Sequence, residues 1–309
     1  MDILFLGTGA GIPSKTRNVT SLCLRLLQER RSVWMFDCGE GTQQQLLHFP
    51  VKMRQLEALF VTHLHGDHAF GIPGLLTTRA SQGADSPLTL YGPKGLRRFV
   101  ETVLEISVSH LTYDISVEEI DSPGAVVRLP DFTVEADFLE HNIPSLGFRI
   151  TEQPRPGQLL ANHLEELGVP KGPAYGRLKS GHPVTLENGR VIQPDEVLKS
   201  PLPGRIVTIL GDTRPTPAAV RLAADASLLV HEATFAADAA PLAAGYGHST
   251  AAEAARIALE AGAHKLALTH ISQRYSDSQT SPLLNEALAI FPNTVVAHDG
   301  LVIDIPINS

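Results

Sequence analysis

The sequence predicts an α/β layered fold, and three features predict it. Short apolar runs bounded by turn residues alternate with helically spaced segments. The alternation occurs twice, on either side of an aperiodic stretch over residues 152–204. At 309 residues, with 43% apolar and 19% charged side chains, the chain can bury a large core and is too apolar for a disordered one.

Taken in order, Ile3–Leu6 reads as a strand closed by Gly7-Thr8-Gly9-Ala10-Gly11. Leu22–Leu27 and Val33–Asp37 form a pair separated by the charged turn Gln28-Glu29-Arg30-Arg31. Thr42–His48 has helical spacing, and Ala58–Thr62 is a buried-strand run that ends at His63. Helices Pro73–Ser81 and Gly95–Ile106 flank the strand Leu88–Tyr91. Strands follow at Ile115–Glu119, Phe132–Phe138 and Leu146–Ile150.

Residues 152–204 carry Pro154, Pro156, Pro170, Pro173, Pro183, Pro194, Pro201 and Pro203, and only Leu159–Leu167 reads as helical there. The stretch has too little apolar content for a core of its own, so it is expected to be a flexible excursion. Alternation then returns: strand Arg205–Leu210, helix Thr216–Ala223, strand Ser227–His231, helix Thr250–Ala261, strand Leu266–Thr269, helix Pro282–Phe291 and a closing Leu301–Ile305.

Composition excludes several classes. No apolar run approaches the roughly 18 residues of a membrane helix. Met1-Asp2-Ile3-Leu4-Phe5-Leu6 has no basic region or cleavage site, so no signal peptide is expected. Cys23 and Cys38 are the only cysteines, which excludes a disulfide framework and makes a reduced, cytoplasmic protein the expectation. A net charge of −8 argues against a general nucleic-acid coat protein.

Histidine is the anomaly, at 13 residues against a single Trp. His63-Leu64-His65-Gly66-Asp67-His68 places four candidate metal ligands directly after a strand. His63 and His65, two apart on an extended turn, can converge on one ion; Asp67 and His68, entering a helix, suit a second. Further candidates also follow strands: His141, Asp212 and His270, with His231 ending another strand and His248 preceding a helix. His48, His110, His163, His182, His264 and His298 lack such placement and read as surface or capping residues.

The HxHxDH run resembles the signature of the metallo-β-lactamase superfamily. Across nearly the whole chain the sequence resembles short-form tRNase Z, the tRNA 3′-processing endonucleases also called RNase Z or RNase BN in bacteria. The likeness includes Phe36-Asp37-Cys38-Gly39-Glu40-Gly41-Thr42-Gln43, Tyr91-Gly92-Pro93, His231-Glu232-Ala233-Thr234 and Ser272-Gln273-Arg274-Tyr275. Two motifs narrow it from the superfamily: Pro13-Ser14-Lys15-Thr16-Arg17-Asn18 matches the PxKxRN loop, and Gly172–Gly181 matches the Gly/Pro-rich arm that grips tRNA.

The resemblance implies an αβ/βα four-layer sandwich, two mixed β-sheets flanked by helices. Residues 1–309 would form one catalytic domain, with 152–204 an inserted tRNA-binding arm. It implies two Zn2+ per subunit, with Mn2+ or Co2+ also accepted by the same donors. His63, His65 and His141 would hold one ion, Asp67, His68 and His270 the other, and Asp212 would bridge them through its two oxygens. Asp67 would also orient the attacking water, His248 would protonate the departing 3′-oxygen, and Glu232 would set the His248 tautomer. Lys15, Arg17, Arg274 and Tyr275 would meet RNA near the site, and Lys171, Arg177 and Lys179 would meet it on the arm, whose residues 169–181 carry those three cations and no acid.

The implied reaction is removal of the 3′ trailer of precursor tRNA after the discriminator nucleotide, leaving a 3′-hydroxyl and a 5′-phosphate, with 3′ exonuclease trimming as an additional activity. A homodimer is implied, in which one subunit's arm presents tRNA to the other's site. The competing readings are a small-molecule hydrolase of the same fold and a metal-free RNA-binding subunit. The first would have no use for the Pro13–Asn18 loop or the arm, and the second none for seven intact ligands.

Overall fold

Alternation along each strand sorts apolar side chains onto two faces, and this sorting builds the layers. In the first strand, β1 (Asp2–Gly7), Ile3 and Phe5 enter the core between two sheets while Leu4 and Leu6 enter a second core beneath helices. The computed structural model describes residues 1–275 and 281–307.

β1 runs antiparallel to β2 (Ser21–Leu26) across the loop 8–20, and β2 to β3 (Ser32–Phe36) through a short turn. β3, β4 (Leu56–Phe60), β5 (Leu88–Pro93) and β6 (Ile115–Ile120) are parallel, joined by crossovers that carry helices such as Ile72–Ser81 and Leu96–Ile106. The second sheet opens with the antiparallel meander β7 (Gly124–Arg128), β8 (Phe132–Leu139) and β9 (Ser145–Glu152). After the excursion, which holds the small hairpin β10 (Val184–Thr185) and β11 (Val191–Ile192), the strand β12 (Ile206–Leu210) returns antiparallel to β9. β13 (Leu228–Glu232), β14 (Leu266–Thr269) and β15 (Thr294–Val296) extend it in parallel, and β16 (Val302–Asp304) crosses back to pair with β1. Both sheets have seven strands, so the expected αβ/βα sandwich is the observed fold.

The inner core is aromatic: Phe36 stacks on Phe60 at 4.9 Å, and Phe148 meets Phe60 edge-on at 5.3 Å. The helical layer over the second sheet is built largely from alanines, including Ala251, Ala254, Ala255 and Ala258 of the helix Ala251–Glu260, which lets that helix approach closely. Its start is a capping box, with Thr250 Oγ1 accepting from Glu253 N and the Glu253 carboxylate accepting from Thr250 N.

Three elements had no sequence signal. β7 lies at a sheet edge with half-exposed residues, β15 spans only Thr294–Val296, and the helix Ala240–Tyr246 hides behind Pro241, Gly245 and Gly247. The excursion also differs from expectation. Beyond the helix Ala161–Glu166 it folds into Pro173–Lys179, Pro194–Val197 and the β10–β11 hairpin, and Leu164, Val169, Leu178, Ile192 and Val197 close a small core of their own. Proline spacing concealed these elements because each helix after the first begins at a proline, where the missing N–H costs nothing.

The root of the excursion is bound to the body by charge. Arg205, just beyond it, gives Nε to Glu152 Oε2 at 2.7 Å and Nη2 to Glu29 Oε1 at 2.7 Å, and Arg155 pairs with the same Glu152. Among the described residues no helix is long and apolar enough to cross a membrane. Cys23 and Cys38 are both buried thiols.

Candidate metal centre

The carboxyl ends of five strands converge on one rim. β4 leads into His63, β8 into His141, β12 into Asp212 and β14 into His270, while β13 ends at Glu232. His270 turns inward at φ 55° and Asp37, just past β3, at φ 54°, a left-handed conformation that non-glycine residues adopt at a cost. Asp67 and His68 ride on the short helix Gly66–Ala69. That helix packs on the 37–39 turn so tightly that a Cβ on Gly39 would lie 2.3 Å from the Asp67 carbonyl oxygen. Cys38 N donates to His68 O at 2.8 Å across the same contact.

All seven expected ligands meet here. His63 Nε2 lies 3.1 Å from His65 Nδ1, which lies 3.3 Å from His141 Nε2. His68 Nε2 is 3.2 Å from His270 Nε2, and His270 Nε2 is 3.2 Å from Asp67 Oδ2. Asp212 Oδ2 stands between the groups, 3.6 Å from His63 Nε2, 3.5 Å from His68 Nε2 and 3.3 Å from His270 Nε2. This one oxygen lies nearest the nitrogens on both sides.

The outer partners assign the protons. His68 Nδ1 donates to Asp37 Oδ2 at 2.7 Å, and His141 Nδ1 donates to the Gly247 carbonyl at 2.7 Å. Thr62 Oγ1 gives its proton to Asp37 Oδ2 and so accepts from His63 Nδ1 at 3.0 Å. Thr234 Oγ1 gives its proton to Glu232 Oε2 and so accepts from His270 Nδ1 at 2.9 Å. Four imidazoles therefore spend their Nδ1 protons outward and aim Nε2 lone pairs inward, at one another and at two carboxylates. Lone pairs so opposed at about 3 Å repel unless a cation lies among them, and nitrogen with carboxylate oxygen is a donor set that zinc accepts. The residues present fit a metal.

The field agrees. Burial disfavours the Asp212 anion, yet His270, His68 and His63 outweigh this and hold its carboxyl well below the ordinary value. Burial likewise opposes charge on His68, but Asp212 and Asp37 on either side raise its pKa well above normal, so they favour a positive charge at Nε2 that either a second proton or a neighbouring cation would supply. The space between those carboxylates favours positive charge.

Beside the cluster, His248 Nδ1 donates to Glu232 Oε1 at 2.9 Å and so leaves Nε2 available. Burial lowers the His248 pKa, but Glu232 and then Asp212 overcome it and bring the value up to about 9. His231 belongs to no donor group among the described residues; it is buried, with Nδ1 on the Glu232 carbonyl at 2.7 Å.

The expected RNA contacts divide. Lys15 and Arg274 are exposed, and Lys15 and Tyr275 line a cavity of about 340 Å3 with Ser14 and Gln273. Tyr275 is half-buried and its hydroxyl accepts from Ala236 N at 2.8 Å. Arg17 lines the same cavity but is buried, and Nη1 donates to Thr8 Oγ1 at 2.7 Å and to Ala297 O at 2.6 Å. The loop turns Lys15 outward and Arg17 into the fold, as residues two apart do not always share a face on a turn. On the arm, Arg177 and Lys179 are exposed, while Lys171 pairs with Glu165 at 2.6 Å, so local charge counting overstated the positive patch.

Asp37, Thr62, Thr234 and the Gly247 carbonyl are the residues that sequence reasoning missed. Asp37 and Thr234 carried a signal, their places in the Phe36–Gln43 and His231–Thr234 motifs.

A family model described as anti-Pycsar protein Apyc1 matches residues 1–129. Ribonuclease Z of Bacillus licheniformis is 52% identical over 299 residues, 97% of each chain. The crystal structure of human tRNase Z, short form, superposes with a TM-score of 0.73 and 33% identity, over 99% of this chain and 100% of that one. The metallo-β-lactamase fold protein YhfI from Bacillus subtilis superposes with a TM-score of 0.66 at 20% identity, over 98% of each chain.

Proposed function

The chain belongs to the ribonuclease Z family and is a tRNA 3′-processing endoribonuclease; we propose that it cuts precursor tRNA after the discriminator nucleotide with two zinc ions, leaving a 3′-hydroxyl on the tRNA and a 5′-phosphate on the trailer. The observation that carries the metal reading is the set of four inward Nε2 lone pairs facing Asp67 and Asp212. In this reading His63, His65 and His141 hold one ion, Asp67, His68 and His270 the other, and Asp212 serves both. Divalent ions held by these residues would bring the pKa of water toward neutrality and offset charge on the scissile phosphodiester.

The chain's own groups do the rest. Asp67 is fixed by Gly11 N at 2.8 Å, so its carboxylate is oriented from the first loop as well as from its helix. His248, with a pKa of about 9, keeps a proton on Nε2 at neutral pH and can pass it to the departing 3′-oxygen. Glu232 holds that ring in position through Nδ1. In this reading Lys15, Arg17, Arg274 and Tyr275 meet the RNA near the site. Residues 152–204 form the tRNA-binding arm of a single catalytic domain, with Arg177 and Lys179 toward phosphates and Lys171 contributing less because Glu165 already pairs with it. The enzyme works as a cytoplasmic homodimer in this reading.

The test is cleavage of a 3′-extended precursor tRNA by purified protein, with metal content and mass by light scattering measured alongside and Asp212→Ala in parallel. A single cut after the discriminator, lost in the variant, supports the reading; stepwise shortening of the trailer would mark exonuclease action. Bound metal with no cleavage would move the assignment to a small-molecule hydrolase of the same fold, and a monomeric mass would refute the dimer.

A further inference from the structure

We infer that Arg214 is a positioning residue for the metal centre, acting through Asn142 and the turn that carries Gly247 and His248. Arg214 follows Asp212 by two residues, and its backbone N–H donates to Glu140 O at 2.8 Å, which sets the 212–214 turn beside His141. Its guanidinium then crosses to the helix Ala240–Tyr246, with Nε on Ala244 O at 2.8 Å and Nη2 on Asn142 Oδ1 at 3.2 Å. Asn142 uses its other end on the same element, Nδ2 donating to Tyr246 O at 2.9 Å. Both ends of the amide are thus committed, which fixes its orientation.

The clamp closes on a turn that serves two functional histidines. Gly247 O takes the Nδ1 proton of His141, and the next residue is His248. Gly247 sits at φ 81°, and a Cβ there would lie 2.9 Å from His141 Nδ1, so the turn has no slack on that side. The 212–214 turn also reaches His248 from behind: Thr213 N donates to Glu232 Oε1 at 3.0 Å, and Ser249 Oγ donates to Thr213 O at 2.6 Å. One turn therefore carries Asp212, aligns Glu232 and clamps the carbonyl that orients His141. The role needs arginine, because a planar fork can span Ala244 O and Asn142 Oδ1 whereas an ammonium is a point donor.

This inference rests on the two-metal reading above. The experiment uses Arg214→Lys, Arg214→Ala, Asn142→Ala and the Arg214→Ala/Asn142→Ala pair in the full chain. Zinc affinity is read by chelator competition, and kcat and KM on precursor tRNA are read separately. We expect each variant to weaken one of the two zinc-binding events and to lower kcat, both by roughly 10–100-fold, with KM within about twofold. The double variant should be little worse than either single one, because both break one clamp. Asn142 is a surface residue, so its variant keeps the test open if Arg214→Ala folds poorly. Wild-type zinc affinity in Arg214→Ala and Asn142→Ala would overturn the inference. So would a KM increase repaired by Arg214→Lys, which is the behaviour of a phosphate contact. A wild-type protein that binds no zinc, or fails to cleave, would instead sink the two-metal reading itself.

Discussion

His248 and Glu232 meet across the rim, Nδ1 to Oε1 at 2.9 Å, with Glu232 itself held from below by Thr213 N at 3.0 Å and Thr234 Oγ1 at 2.7 Å. Glu232 is fully buried, and apart from His248 its hydrogen-bond partners are neutral, so its negative charge is directed at that one ring. This is why a partly buried imidazole retains its proton up to about pH 9.

Replacing Glu232 with Gln removes that charge while keeping the shape. The His248 pKa should then fall from about 9 toward the ordinary value of about 6.5, with Asp212 still raising it against burial. The sign is definite: if protonated His248 donates to the leaving oxygen, the alkaline limb of kcat moves from near 9 toward acid. A pH–rate profile of Glu232→Gln checks it, and an alkaline limb unmoved from the wild-type position would rule out this proton donor.

Lys15 and Arg17 should separate cleanly. Arg17→Ala leaves Thr8 Oγ1 and the Ala297 carbonyl without their buried donor and should cost about 2–3 kcal/mol of stability. Lys15→Ala should leave the denaturation midpoint unchanged, raise KM for precursor tRNA and lower the salt dependence of binding by about one charge. Paired urea melts and salt titrations decide; a stable Arg17→Ala with raised KM would mark Arg17 as an RNA contact rather than a structural residue.

The arm has its own small core, so it can be damaged alone. Leu178 is fully buried there against neighbours that include Leu164 and Val197. Leu178→Asp should raise KM for precursor tRNA by about tenfold while metal content and hydrolysis of a small phosphodiester stay at wild-type levels. If the small substrate is lost as well, the arm and the catalytic rim are not independent.

Glu152 should make acid stability depend on the root of the arm. Burial opposes its ionisation, but Arg205 and Arg155 outweigh this and bring the pKa from 4.5 to about 2. A carboxyl with a depressed folded pKa stabilises above its unfolded value and loses that contribution as pH falls through the folded one. Glu152→Gln should therefore cost about 3 kcal/mol at pH 7, and the gap to wild type should shrink between pH 4.5 and 2. Denaturant melts at both ends of that range measure it; a gap independent of pH would contradict the pairing.

The layered fold was legible because strand alternation is a local property. Ile3, Phe5 and Leu4, Leu6 announce two faces whatever the partner strands are. The candidate donors were legible for a similar reason: they follow strand ends, and the HxHxDH run places four of them within six residues. The arm's core escaped notice because its five members are spread from Leu164 to Val197 between prolines, with no period to reveal them. The burial of Arg17 escaped because charge alone does not say which way a loop residue turns.

The sequence by itself determined which chemistry was available: the imidazoles, the carboxylates and the strands that end in them. Tertiary structure alone decided how each ring is protonated. Asp37 reaches His68 from 31 positions away, Gly247 reaches His141 from 106, and Thr234 reaches His270 from 36. Whether an imidazole offers a lone pair or a proton is set by the partner on its far nitrogen, and those partners come from other elements of the fold. Local spacing can nominate a ligand, but only the packed fold can aim it.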